Sequence, residues 1–242
     1  MKAAVVFKCT RNPVDAKVKL DGTVSWEGVK LAATDDDPAA MQIAKAIAGS
    51  DEIIAISIGD GDPAWAAARG AARTILVADA YAEAEASRTG ALLAACVRRA
   101  PELEVVVLGD SSWDFALVSA LIGQLGWPAL AGVTAAEPAP EGLKVTRKVG
   151  NIRQVLTVAV PVVLAAAAGE EEKNPPGMRD ILQARKKPLE KLKAADLDPA
   201  LSAAETVGFR YPDTPSARLI DGKDPQAACV ELLAALRADG AL

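Results

Sequence analysis

The stretch VVVLGDSSWDFALVSALIGQLGWP, residues 105–128, places a strand, a glycine turn and a helix in immediate succession. Its apolar run Val105–Leu108 predicts a buried strand, and the turn falls at Gly109 and Asp110. The following segment, Trp113–Leu125, predicts a helix that is apolar nearly all round and therefore fully buried. A strand that enters a helix through a glycine turn is the basic unit of an α/β fold.

Two hydroxyl side chains, Ser111 and Ser112, lie where this helix begins. Free N–H groups at a helix N-terminus can hold a phosphate, and neighbouring hydroxyls can assist them. The alternative is that one serine only caps the helix. The turn is therefore a candidate phosphate site on local features, and both interpretations stay open.

The same alternation of apolar strands and helices extends along the chain. Strands are predicted at residues 3–7, 52–58, 74–78 and 103–108, helices at 35–48, 63–71, 87–98 and 113–125, and later strands at 129–136, 143–149, 152–160 and 162–167. A hairpin is predicted over 18–26 around Asp21-Gly22, and a last helix over 224–238. Repeated β-α units of this size predict an α/β fold with a doubly wound, mostly parallel, Rossmann-like sheet.

Composition excludes several classes of function. Among 242 residues there is no histidine, which removes histidine bases, triads and metal ligands, and the net charge of −5 argues against broad nucleic-acid binding. Three widely spaced cysteines indicate reduced thiols and a cytoplasmic protein. The opening MKAAVVFK predicts a strand instead of a signal peptide, and no apolar run reaches the length of a membrane span. Carboxylates are plentiful, but no catalytic constellation and no metal site is predicted.

A second candidate for nucleotide binding is the run Gly59–Ala64, which fits Gly-x-Gly-x-x-Gly/Ala between a strand and a helix. Asp79, at the end of the next strand, occupies the position of a ribose-binding acid. This pattern is typical of a stand-alone Rossmann-type dinucleotide-binding enzyme. The alternative is an acidic turn, because Asp60 and Asp62 would repel a pyrophosphate.

Four motifs give the chain a family resemblance. They are LGWP (125–128), LKVTR (143–147), VPVV (160–163) and NPPGMRDILQARKKPLE (174–190). With these motifs the chain resembles the β subunit of electron transfer flavoproteins over nearly its whole length. The resemblance implies a non-catalytic electron carrier that pairs with an FAD-carrying α subunit. It also implies electron flow from a flavin-dependent dehydrogenase to a quinone reductase or another acceptor.

The resemblance further implies a domain organisation. Residues 1–190 would form the nucleotide-binding-type domain, with a loop at about 170–180 that docks on the donor dehydrogenase. Residues 191–242 would form an arm and a helix that contact the α subunit. Within the loop the docking residues would be Pro176, Gly177 and Met178, with Met178 where the family commonly has an anchoring leucine.

AMP, or a second FAD, is the cofactor that the resemblance implies for this subunit itself. The residues placed to contact it are Val6, Asp37, Pro38, Ala39, Ala40, Ile58, Gly59, Gly109, Asp110, Ser111 and Ser112. The sequence departs from the family here, because residues 110–116 replace an Asp-x-x-Thr-Gly-Gln run and are bulkier. A scaffold subunit whose nucleotide site has decayed is therefore a further alternative.

Overall fold

The computed structural model describes residues 1–80, 85–110, 113–167, 169, 172, 174–197, 207–208, 210–212 and 217–242, together with the backbone but not the side chain of residue 115. The strands are β1 (Ala3–Val6), β2 (Lys17–Val18), β3 (Val24–Ser25), β4 (Ile53–Ile58), β5 (Arg73–Val77), β6 (Val105–Gly109), β7 (Ala129–Ala139), β8 (Gly142–Val149), β9 (Ile152–Val158), β10 (Val162–Ala166) and β11 (Leu189–Leu192). The helices are α1 (Asp37–Ala48), α2 (Ala64–Ala68), α3 (Ala86–Arg98), α4 (Phe115–Leu125), α5 (Met178–Ala184) and α6 (Pro225–Ala238).

Nine of these strands form a single sheet in the order β11-β5-β4-β1-β6-β10-β7-β8-β9. All neighbours from β11 to β7 pair in parallel, and β7, β8 and β9 continue the sheet as an antiparallel meander. The short strands β2 and β3 form the predicted hairpin separately. The predicted α/β fold class and the continuation of one sheet into the second half are confirmed.

The central strands are buried along their whole length, which is why they are apolar without alternation. Every residue of β1, β4, β6 and β10 is buried. On one face α1 covers the sheet with Met41 and Ile47, and on the other α3 contributes Leu92 and Leu93. The helices therefore sandwich the sheet, and its carboxyl ends form one edge of the molecule.

Helix α4 is amphipathic, so the expectation that it is fully buried is wrong. Leu117, Val118 and Leu121 are buried against the sheet, whereas Ala116 and Ser119 are exposed. Both exposed residues are small, and the exposure of small side chains lowers the stability of a protein very little. The predicted helix at 63–71 is also shorter than expected: α2 has five residues and ends before Gly70, whose φ is +117°.

Strand β11 is an element that the sequence did not predict. It pairs in parallel with β5 at the edge of the sheet, from Leu189 opposite Thr74 to Leu192 opposite Val77. The 3-10 turn Ala194–Leu197 follows and packs Ala194 and Leu197 against the core. The predicted domain boundary at residue 190 thus falls inside a strand of the sheet.

The C-terminal segment contacts the hairpin. Arg210 bridges to Thr23, and the backbone N–H of Tyr211 donates to the carbonyl of Gly22 at 2.8 Å. Helix α6 follows, and none of its residues is buried. The last described part of the chain therefore has little core of its own.

Candidate functional site

The strand order reverses direction between β1 and β6. From β1 the chain builds β4 and β5 on one side, and it then crosses to place β6 on the other side. In doubly wound sheets, ligands bind in the crevice at the carboxyl ends of the strands next to such a reversal. Three of the predicted site residues, Val6, Asp37 and Gly109, line this crevice together.

The crevice is nearly filled by the protein itself. Its remaining cavity measures about 10 Å³, which is room for one water molecule at most. Its walls are Val6, Phe7, Lys8, Thr34, Asp37, Leu108, Gly109 and Leu117. Val6, Asp37 and Gly109 thus lie close together, and the described residues around them leave no room for a nucleotide.

A partly buried ion pair joins the wall of the crevice, at Lys8, to the residue before α4. The Lys8 side chain follows β1 and is only 5% exposed, and its ammonium pairs with the carboxylate of Asp114, directly before α4. A buried ammonium is costly unless an opposite charge compensates it, so Asp114 stabilises Lys8 in this position. Neither residue was predicted from the sequence as part of the site. The available signal was a cation directly after an apolar strand, which also occurs in solvated turns.

The start of α1 packs closely on the end of β6. A Cβ added to Gly109 would lie 2.8 Å from the Cβ of Asp36 and 3.3 Å from Oδ1 of Asp37. The Asp37 carboxylate is buried and accepts the backbone N–H of Thr34 at 2.8 Å. Burial raises the pKa of Asp37 to about 7. Gly109 therefore makes room for the protein's own acidic residues.

Asp110 makes hydrogen bonds to two neighbouring strands of the sheet. Its carboxylate accepts the N–H of Gly132 at 3.1 Å, and its own N–H donates to the carbonyl of Ala166 at 2.7 Å. Gly132 has a φ of +69° next to an irregularity in the pairing of β7, so Asp110 fastens a bend in that strand. The predicted hydroxyls, Ser111 and Ser112, lie outside the described residues.

The other predicted contacts point elsewhere. Ala40 and Ile58 are core residues, and the N–H of Gly59 donates to the carbonyl of Val77 at 3.0 Å. Ala39 lines a separate groove of about 570 Å³ between α1 and β7. Pro38 is half-buried in the first turn of α1, where a proline needs no N–H partner. The described members of the predicted set thus lie in several separate environments instead of one site.

The glycine motif at Gly59–Ala64 is engaged in the protein's own contacts. A Cβ on Gly61 would lie 2.5 Å from the Cys9 sulfur, so that face carries no open approach for a pyrophosphate. The Asp62 carboxylate accepts the Ala64 N–H at 2.9 Å and pairs with Arg185 at 3.0 Å. These contacts argue against the dinucleotide interpretation.

The acid proposed for a ribose is also engaged. Asp79 accepts the backbone N–H of Ala194 at 2.7 Å, directly after β11. This bond attaches the edge strand and its following turn to the end of β5. Asp79 therefore has a structural explanation in the described chain.

The predicted docking residues lie at the start of α5. Met178 is 74% exposed, and Leu182, one helical turn later, is 54% exposed. Asp180 accepts the N–H of Gly177 at 3.0 Å and fixes the entry to the helix, while Pro176 is half-buried beside it. Two apolar side chains at i and i+4 share one face of a helix, so Met178 and Leu182 form a small apolar patch.

The loop before α5 is attached to α2. Arg69 pairs with Glu172 at 2.8 Å, and its guanidinium stacks 4.3 Å above the ring of Trp65. Trp65 in turn lies 5.1 Å from the ring of Phe7 at the end of β1. This chain of contacts connects the loop to the edge of the crevice.

Two further classes of site find no support in the described ranges. Within the described residues, no group of three or more Cys, Asp or Glu side chains is arranged to hold a metal ion. Among the described helices, none has both the length and the apolar character needed to cross a membrane.

The strand order and the flanking helices define a doubly wound, Rossmann-like α/β protein. A family model, the electron transfer flavoprotein domain, matches residues 36–197, which is more than half of the chain. The chain belongs to the electron transfer flavoprotein family.

Proposed function

We propose that this chain is the β subunit of an electron transfer flavoprotein. In this role it pairs with an α subunit that carries FAD, and the pair moves electrons from a flavin-dependent dehydrogenase to a quinone reductase or another acceptor. The described part of the crevice contains an ion pair and packed apolar side chains. We therefore expect the chain to act as a scaffold and a docking surface.

The observation that carries the proposal is the unpacked C-terminal segment. Val230, Leu232 and Leu233 of α6 are each more than 40% exposed, and Leu219 before the helix is 92% exposed. A helix of 14 residues is marginal in water unless it buries an apolar face. A partner chain that covers these side chains explains why they are apolar.

The hairpin fixes where this segment leaves the domain. The bridge from Arg210 to Thr23 and the hydrogen bond from Tyr211 to Gly22 hold the segment against the β2–β3 turn. Gly22 has a φ of +81°, and the Arg210 guanidinium lies over it. The hairpin therefore directs the segment to one side of the molecule, from which it can extend onto the partner.

The second docking surface is the Met178–Leu182 patch. We assign it to the donor dehydrogenase, because it is small, exposed and carried by a short helix that contact with α2 supports. Methionine is flexible and polarizable, which suits a surface that meets its partner only transiently.

Co-purification tests the subunit assignment. The tagged chain, co-expressed with an FAD-carrying α subunit, is expected to retain that subunit through size-exclusion chromatography. The double variant Leu232→Ser/Leu233→Ser is expected to lose most of it, whereas the polar control Gln226→Ser on the same helix is expected to retain it. A chain that elutes alone in all cases would contradict the proposal.

A further inference from the structure

We propose that the crevice between β1 and β6 contains an internal ion pair in place of a nucleotide phosphate. The Asp114 carboxylate stands where the phosphate would lie, and Lys8 is its cation. Both residues belong to this chain, so the ion pair does not depend on which subunit the chain is.

The free volume of the crevice is small. A doubly wound sheet binds its ligand at the carboxyl ends of the strands beside the reversal of strand order, which here is the edge shared by β1 and β6. Small-molecule pockets commonly measure about 300–1,000 Å³. The cavity at this edge measures about 10 Å³. A nucleotide therefore does not fit between the described residues that line the crevice.

The charged side chains at the crevice do not favour an anion. Lys8 is the cation in the wall of the crevice, and its charge is already neutralised by Asp114. Asp36 and Asp37 are buried where α1 meets β6, next to Gly109. A phosphate would meet a lysine that already pairs with Asp114, and two buried acids. Favourable charge interactions would therefore offset little of the free-energy cost of removing the phosphate from water.

The backbone of the turn at Gly109 and Asp110 is occupied by contacts within the protein. A glycine beside a bound phosphate lets the main chain approach the ligand, but the open side of Gly109 faces Asp36 at 2.8 Å from a built Cβ. The Asp110 carboxylate and N–H are bonded to Gly132 and Ala166. Among the described residues of the turn, Gly109 and Asp110 are thus engaged with the protein itself.

One consequence follows for the assembled protein, and it rests on the proposed function. A complex of this chain with an FAD-carrying partner would contain one nucleotide cofactor, the flavin of the partner. The crevice of this chain would contribute stability only.

Nucleotide content tests the inference without any mutation. The purified chain is denatured, and the released small molecules are identified by mass spectrometry. No stoichiometric AMP, ADP or FAD is expected, and neither AMP nor inorganic phosphate is expected to raise the Tm of the chain. One equivalent of any of these nucleotides, or a Tm that rises with AMP, would overturn the inference.

Charge variants test the role of Asp114 directly, with inorganic phosphate as the probe. Asp114→Ala removes the carboxylate that pairs with Lys8 and leaves the volume of that carboxylate empty, so phosphate is expected to raise the Tm of this variant. Adding Lys8→Met is expected to abolish that response. The control Asp62→Ala also removes a carboxylate from an ion pair, but outside the crevice, and is expected to show no response. A folded Asp114→Ala protein that ignores phosphate would contradict the inference.

The two proposals fail separately. If the chain binds no nucleotide and never retains an α subunit, the proposed function is contradicted and the ion-pair proposal is not. A chain that retains the α subunit and releases its own AMP would do the reverse.

Discussion

Gly90 in α3 lies directly against Ala120 in α4, so that a Cβ built on Gly90 would stand 2.7 Å from the Cβ of Ala120. The same Cβ would lie 2.8 Å from the carbonyl carbon of Ala120 and 2.9 Å from the backbone nitrogen of Leu121. Backbone atoms cannot turn aside as a flexible side chain can. The absence of a side chain at Gly90 therefore sets how closely the two helices pack.

Gly90→Ala is expected to destabilise the protein by about 2 kcal/mol, because overpacking costs more than the gain of roughly 1 kcal/mol in helix propensity. Gly123→Ala is the matched control, since a Cβ there meets nothing within 4 Å. It is expected to stabilise α4 by up to about 1 kcal/mol. Urea unfolding of both variants measures the difference. If Gly90→Ala stabilises as much as the control, the close helix contact is refuted.

The buried Asp37 carboxyl gives the protein a pH dependence. Its pKa is raised from 3.8 to about 7 in the folded chain by burial, so the folded state favours the protonated carboxyl. The stability that it contributes is fully present below pH 3.8 and is lost as the pH rises through about 7.

Asp37→Asn keeps an oxygen that can accept the Thr34 N–H but cannot ionise. Relative to wild type, the variant is expected to gain stability as the pH rises from 4 to 7, by at most about 1.4 kcal/mol per pH unit. Unfolding curves at four pH values in this range provide the test. A difference between the two proteins that does not change with pH would show that Asp37 ionises normally.

Lys187 connects the C-terminal part of the sheet to α2. Its ammonium donates to the carbonyls of Ala67 and Ala71, at 2.9 and 2.8 Å, at the end of that helix. Lys187→Met is expected to lower the free energy of unfolding by about 1 kcal/mol, since two charge-assisted bonds at a partly exposed helix end are lost. Lys186→Met, one residue earlier, is the control and is expected to change stability by less than about 0.5 kcal/mol. Equal losses in the two variants would contradict this role.

The Met178–Leu182 patch is expected to act in docking and not in folding. Met178→Ser is expected to leave the Tm unchanged, because the side chain is 74% exposed. In the complex with the α subunit it is expected to slow reduction of the flavin by the donor dehydrogenase several-fold. Gln183→Ser on the same helix is expected to have no effect on that rate. Unchanged flavin reduction in Met178→Ser would remove the patch from the docking surface.

Most of the sheet could be predicted because its central strands are apolar on both faces. Ile53–Ile56 and Val105–Leu108 are continuous apolar runs, and burial on both sides of a parallel sheet favours that pattern. Strand β11 was missed for the opposite reason. In Leu189–Leu192 only Leu192 is buried, so its backbone pairing with β5 has no counterpart in the side-chain pattern.

The position of the crevice could also be predicted, but its contents could not. The turn at Gly109 and the helix start at Asp37 come together as expected, because strand ends in a parallel sheet share one edge. Lys8 and Asp114 are 106 residues apart, and their pairing depends on how β1 and α4 pack. Local patterns show the donors and charges at such an edge. They do not show which of them are already paired with each other.

We propose that this chain is one of two subunits of an electron transfer flavoprotein, and native mass spectrometry of the chain co-expressed with an FAD-carrying α subunit observes that pairing itself. The expected spectrum shows a 1:1 complex whose mass equals both chains plus one FAD. A spectrum with only the free chain, or with a complex that lacks flavin, would refute the pairing.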